Sequence, residues 1–228
     1  LGAICIFMYV GGEVTIGSTL IRFLNLENIA GLSEKEASVF LSFYWGGLMV
    51  GRFFGAIALS DMKSNTIRSV AFGAVVVVAF VSVYFLIGER ISLIWLGLVV
   101  FNLVAFIAGG YKPNRTLGLF AGIVILLIVT ALMAEGEVAM WAILSIGLFN
   151  SIMWSNIFTL AIEGLGKYTS QGSSVLIMAI LGAAVVPLLQ GLVADFSGIH
   201  MSFIVPLFCY IYVLYYGFYG YKIKQKLD

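Results

Sequence analysis

An all-α integral membrane protein of about eight transmembrane helices is what this sequence predicts. Three observations carry that reading. Of 228 residues, 62% are apolar and only 10% are charged, against roughly 45–50% and about 25% in soluble domains. The apolar residues gather in runs of about twenty, the length a helix needs to cross the hydrocarbon core. Those runs lack the strict alternation of barrel strands, so helices, which satisfy their own backbone in lipid, are the solution left.

The runs cover Gly2–Phe23, Ala37–Leu59, Ser69–Ile87, Ile91–Gly109, Leu117–Ala134, Val138–Ile162, Ser174–Ala194 and Ser202–Gly220. Polar punctuation separates them: Glu27 to Glu36, Ser60 to Arg68, Gly88 to Arg90, Gly110 to Thr116, Glu135 to Glu137, Glu163 to Ser173 and Asp195 to Met201. The second, fourth and sixth loops and the tail hold Lys63, Arg68, Lys112, Arg115, Lys167, Lys222, Lys224 and Lys226. The opposite side holds Arg22, Lys35 and Arg90, with Glu27, Glu34, Glu36, Glu89, Glu135, Glu137 and Asp195. Basic residues mark the cytoplasmic side, so both chain ends are expected there. Tyr215, Tyr216, Tyr219 and Tyr221, followed by Lys222 and Lys224, read as an interfacial anchor. Leu1 opens straight into an apolar run with no basic leader, and the chain reads as the later part of a longer protein.

A net charge of +1 suggests no nucleic acid or acidic partner. Cys5 and Cys209 sit inside apolar runs without CxxC spacing and read as small buried side chains. The sole histidine, His200, falls in an outer loop, which excludes HExxH and a Ser-His-Asp triad within the chain. No GxxxxGK phosphate loop occurs. No enzyme activity, cofactor or metal is therefore expected.

Function is sought in the polar groups sunk in lipid, because each is expensive there. Glu13 lies mid-span, at a cost of about 2.5 kcal/mol or more, and shares a helix face with Tyr9 and Gly17. Such an acid either meets substrate or a proton, or bonds a neighbouring helix. Arg52 lies in the second span and either snorkels to the interface or pairs with Asp61. Gly47, Gly51 and Gly55 form a small-xxx-small stripe that lets helices approach, for structure or gating. Tyr44 and Trp45 are flat rings that suit either a ligand or the core. In the sixth span Ser151, Ser155, Thr159 and Glu163 recur every fourth residue, flanked by Asn150 and Asn156, with Trp154 one turn from Asn150. Neutral donors beside an aromatic ring suit a hydroxyl-rich ligand, and equally serve as interhelical bonds. Pro187 is expected to kink the seventh span, with Gln190 lining a vestibule.

Four stretches carry a family likeness: YVGGEVTIGS from Tyr9 to Ser18, SFYWGGLMVGRFFG from Ser42 to Gly55, the long run from Gly147 to Asp195, and SFIVPLFCYIYVLYYGFYG from Ser202. Covering about three quarters of the chain, they resemble the C-terminal half of the fucose/glucose/galactose–proton symporter family, within the major facilitator superfamily. The resemblance implies six core spans in a C-terminal helix bundle over residues 1–228, facing an N-terminal bundle absent from this chain. It implies a secondary transporter of a bacterial inner membrane that moves a monosaccharide inward with a proton by alternating access. Glu13 and Asn150 would face the cavity, and Lys167 to Ser173, in GKYTSQGS, would be a closing cytoplasmic loop. The chain departs from the family pattern in Trp154, Ser155 and Asn156, where a proline step is usual, and in Tyr168, where histidine is common. Two spans within 91–134 exceed the six and are expected as an inserted, lipid-facing pair, with Asn102 and Thr130 among their few polar groups. The coupling acids of the family belong to the other half, so the proton enters by kinship alone. A non-transporting sensor or scaffold of the same fold is the alternative.

Overall fold

The computed structural model describes residues 1–60, 64–110 and 112–222, apart from the side chain of Leu59. Its helices are α1 (Gly2–Asn25), α2 (Glu34–Leu59), α3 (Asn65–Ile87), α4 (Glu89–Ala108), α5 (Pro113–Met133), α6 (Gly136–Asn150), α7 (Met153–Ile162), α8 (Thr169–Met178), α9 (Gly182–Ser197), α10 (Ile199–Ser202) and α11 (Ile204–Tyr215). Among the described residues there is no strand. Eight helical stretches are long and apolar enough to span a bilayer, because α6–α7, α8–α9 and α10–α11 each run on as one broken span. Asp61, Lys63, Lys224 and Lys226 lie outside the described residues.

Local chemistry places the ends. Ser33 and Glu36 form a capping box at the start of α2, the serine hydroxyl accepting from the Glu36 N–H and the glutamate from the Ser33 N–H at 3.0 Å. Pro113 opens α5 where a helix has no use for an N–H. Gly88 alone joins α3 to α4, at φ 107°, a conformation side chains resist. Arg90 pairs with Glu137 at 2.9 Å across the loop ends, but both side chains are well exposed and the pair adds little. The segment expected as the loop Lys167–Ser173 is instead mostly helical: Gly166–Tyr168 forms a 3₁₀ turn that runs directly into α8.

Two seams knit the bundle. A β-carbon at Gly147 of α6 would run into the Tyr44 carbonyl of α2, and one at Gly51 would meet the Ser151 side chain. Gly47 and Gly55 meet Leu148 and Ile152 in the same seam, so the predicted glycine stripe is a true close contact. The second seam sets α1 against α9, with Gly182 under the Phe7 carbonyl and Gly11 under Val186.

One expectation is corrected. The pair placed at the lipid-facing periphery, 91–109 and 117–134, does not lie there together. α5 is 44% buried over its apolar window and packs on α6, α7 and α11, whereas α3 is 11% buried and packs chiefly on α2 and α4. The peripheral pair is α3 and α4. Even α4 is anchored, because Asn102 is fully buried and donates to the Leu148 carbonyl at 3.1 Å.

Candidate functional site

The sixth span breaks at Ser151–Ile152, between α6 and α7, with neither proline nor glycine at the break. A broken helix leaves carbonyls without intrahelical donors, which lipid does not tolerate unless side chains supply them. Here side chains from three other helices do so. Asn102 of α4 reaches the Leu148 carbonyl, which also accepts from the Ser151 hydroxyl at 2.8 Å. Tyr9 of α1 donates its hydroxyl to the Asn150 carbonyl at 2.8 Å. Arg52 of α2 brings Nε to 3.4 Å from the Ser151 carbonyl.

The Asn150 amide sits at the centre of this knot and is fully buried. Its Nδ2 donates to the Tyr44 hydroxyl at 3.1 Å, and its Oδ1 accepts from the Tyr210 hydroxyl at 2.9 Å. Tyr44 passes its own proton to the Glu13 carbonyl at 2.8 Å. The network thus ties α1, α2, α6 and α11 through one amide and three tyrosines, all buried. The Glu13 side chain lies beside the Tyr9 hydroxyl, within electrostatic reach of Arg52, and is only partly buried. The Tyr9 hydroxyl thus stands between the Asn150 carbonyl and the Glu13 carboxylate, both acceptors. Trp45 lies over Gly17, one turn along α1 from Glu13, with its ring 45% exposed.

Several anticipated site residues are therefore together, but not in the anticipated way. Glu13 and Trp45 present open surface, whereas Tyr9, Tyr44 and Asn150 are sealed behind them with their hydrogen bonds used. Gln190 lines no vestibule: it is 1% exposed, accepting from the Thr15 hydroxyl and donating to Ser202 at 3.1 Å. The irregular turn of the seventh span falls at Ala179–Leu181, ahead of Pro187, which lies within α9. Trp154 is half-buried and stacks on Phe158 at 5.0 Å rather than on Asn150. Arg52 contacts the Ser151 carbonyl, and its anticipated partner Asp61 is outside the described residues. Lys167 is exposed, its ammonium 5.1 Å from the Tyr168 ring. Tyr210 was not anticipated, because a tyrosine in an aromatic-rich last span gives no sign that its hydroxyl points inward. A groove of about 850 Å³ between α2 and α3, nearly all apolar, lies away from this cluster.

No protein-family model matches the chain. The glucose/galactose transporter of Brucella abortus is 40% identical over 222 residues, which cover 97% of this chain and 42% of that protein. The L-fucose–proton symporter of Escherichia coli is 25% identical over 205 residues, 90% of this chain and 35% of the symporter. A crystal structure of that fucose symporter superposes with a TM-score of 0.71 at 22% identity, covering 98% of this chain and 42% of the other. The chain shares the fold of that symporter, a major facilitator superfamily transporter. It is a homologue of these transporters and fits their C-terminal half. The superfamily fold accounts for the all-helical bundle, and the chain spans less than half the length of the relatives it matches.

Proposed function

We propose that this chain forms the cavity wall of a monosaccharide–proton symporter in a bacterial inner membrane, working by alternating access against an N-terminal bundle. The observation that carries the reading is Glu13: a partly buried acid in α1, its backbone braced by the Asn150–tyrosine knot, one turn from Gly17 and the exposed Trp45 ring above it. A carboxylate and a flat ring on one open face suit the hydroxyls and the apolar face of a sugar. Asn150 acts behind that face, holding Tyr44 and so the backbone that carries Glu13. The glycine seam of Gly47, Gly51 and Gly55 fixes α2 to α6, so the wall moves as a body.

The names of the relatives support a sugar and a proton as cargo. The test is uptake of labelled glucose, galactose and fucose by the reconstituted protein, with and without an inward proton gradient. Gradient-stimulated uptake of one of the three is expected. Uptake indifferent to the gradient removes the symport, and absence of uptake removes the transport reading. We also place both chain ends in the cytoplasm from the basic loops; labelling of a cysteine at Lys222 from the outside only would reverse that. The inserted pair is assigned to α3–α4, whose removal leaves six spans and the packed α5 in place. Deletion of residues 65–108 should leave a chain that still folds and inserts; failure to do both removes the assignment.

A further inference from the structure

A cavity of about 290 Å³ lies behind the break, between α2, α5 and α7, and the transport reading leaves it unused. Its polar wall is Arg52, Thr116, Ser151, Ser155 and Asn156, with Pro113 at its edge, and no acidic side chain lines it. Arg52 makes a single hydrogen bond, through Nε at 3.4 Å. Among the described residues its two terminal nitrogens have no partner, and no carboxylate lies within ion-pair distance. Asn156 is 8% exposed and Thr116 is 2% exposed, and neither side chain has a hydrogen-bond partner among the described residues. Thr116 and Asn156 turn unused donors onto one cavity beside the exposed Arg52 guanidinium, a donor set that an acceptor-rich guest would satisfy.

The sign of that guest follows from the walls. α5 begins at Pro113 with no side-chain cap, so the positive end of its dipole sits at the cavity. Lys112 and Arg115 flank that end and are exposed. A guanidinium fork, a hydroxyl, an amide N–H and a helix N-terminus are together the donors that hold a tetrahedral oxyanion. We propose that this cavity binds a phosphate group, with Arg52 as its counter-ion and Thr116, Ser155 and Asn156 as neutral donors. The group reaches it either as free inorganic phosphate or as the headgroup of an anionic phospholipid, since both present the same oxygens.

The experiment has two arms. In the first, purified protein in phosphate-free detergent is dialysed to equilibrium against labelled inorganic phosphate at fixed ionic strength. In the second, the protein is placed in nanodiscs of phosphatidylcholine with or without phosphatidylglycerol, and its melting is followed. Saturable binding in the first arm, or phosphatidylglycerol-dependent stabilisation in the second, is expected, and whichever arm responds names the source. The response should be lost in R52Q and reduced in T116V and N156A. Thr116→Val keeps the side chain's shape and reads the site even if R52Q fails to fold. No response in either arm overturns the proposal, as does a response undiminished in T116V and N156A. Sugar uptake is not read in either arm, so failure here leaves the transport reading standing.

Discussion

Replacing Asn150 by alanine removes two side-chain bonds and leaves a third untouched. The Tyr9 hydroxyl still reaches the residue-150 carbonyl, because that bond is to the backbone. Tyr44 keeps its proton on the Glu13 carbonyl and loses only a donor, which costs about 0.5–1.5 kcal/mol. Tyr210 loses its acceptor inside a site with no solvent, which costs about 1–3 kcal/mol. The sum, about 1.5–4.5 kcal/mol, corresponds to a fall in melting temperature of roughly 3–18 °C at about 2–4 °C per kcal/mol for a chain of this size. The protein carries its own reporter: Cys5 and Cys209 are free and buried, so a thiol-reactive dye lights up only on unfolding. The double variant N150A/Y210F decides the matter. Removing the orphaned hydroxyl should recover part of the loss, so the double variant is more stable than the two single losses added together. Strict additivity, or an N150A melt equal to wild type, would refute the hub.

The other predictions use the same assay or uptake. Gly147→Ala drives a methyl group into the Tyr44 carbonyl and should cost about 1–3 kcal/mol, whereas Gly46→Ala, with nothing within 4 Å, should be neutral or slightly stabilising; equal melts would contradict the seam. Glu13→Gln is isosteric and should melt like wild type yet weaken sugar binding about 10–100-fold, the worth of one charge-assisted bond of roughly 1.5–3 kcal/mol; equilibrium binding with unchanged affinity takes Glu13 out of the site. Gln190→Leu strands the Thr15 hydroxyl, while Ser202 keeps its bond to the Ile199 carbonyl and loses only a donor; it should lower the melting temperature without changing sugar affinity, and a change in affinity alone would mean that Gln190 meets substrate. Arg90→Met breaks only an exposed pair and should leave the melt within error of wild type.

The eight spans were legible because lipid imposes length and apolarity directly on sequence. So was the glycine stripe of α2, since small residues at fourth positions mark close helix contact whatever the partner. Glu13 stands out in the sequence because an acid is rare at that depth, and its role is the one proposed above. Which spans are peripheral was not. α3 and α5 have mean hydropathies of 2.7 and 2.6 over their best windows, yet they are 11% and 44% buried. A helix facing lipid and a helix facing protein are equally apolar, so hydropathy cannot rank them. The break after Asn150 was illegible for a different reason. Its tolerance depends on Tyr9, Arg52 and Asn102, which precede it by 141, 99 and 46 residues along the chain.

Depth in lipid therefore marks a polar group as consequential without saying in which sense, and valence supplies the distinction. Tyr9, Tyr44, Tyr210, Asn150 and Gln190 are buried and bonded through their polar ends, and a group in that state has little left to offer a ligand. Glu13 is only partly buried, Thr116 and Asn156 keep donors without acceptors, and Arg52 stands in both sets, bonded to the break through Nε with its terminal nitrogens unused. The first set holds a broken helix together where water cannot help, so its loss appears first as instability. The second set is where binding energy is still available, and it divides between two places: the open face at Glu13 and the cavity behind Ser151. Substitutions in the first set should move melting before affinity, and those in the second should move affinity before melting. That ordering follows from hydrogen-bond accounting alone, independently of which sugar the protein carries.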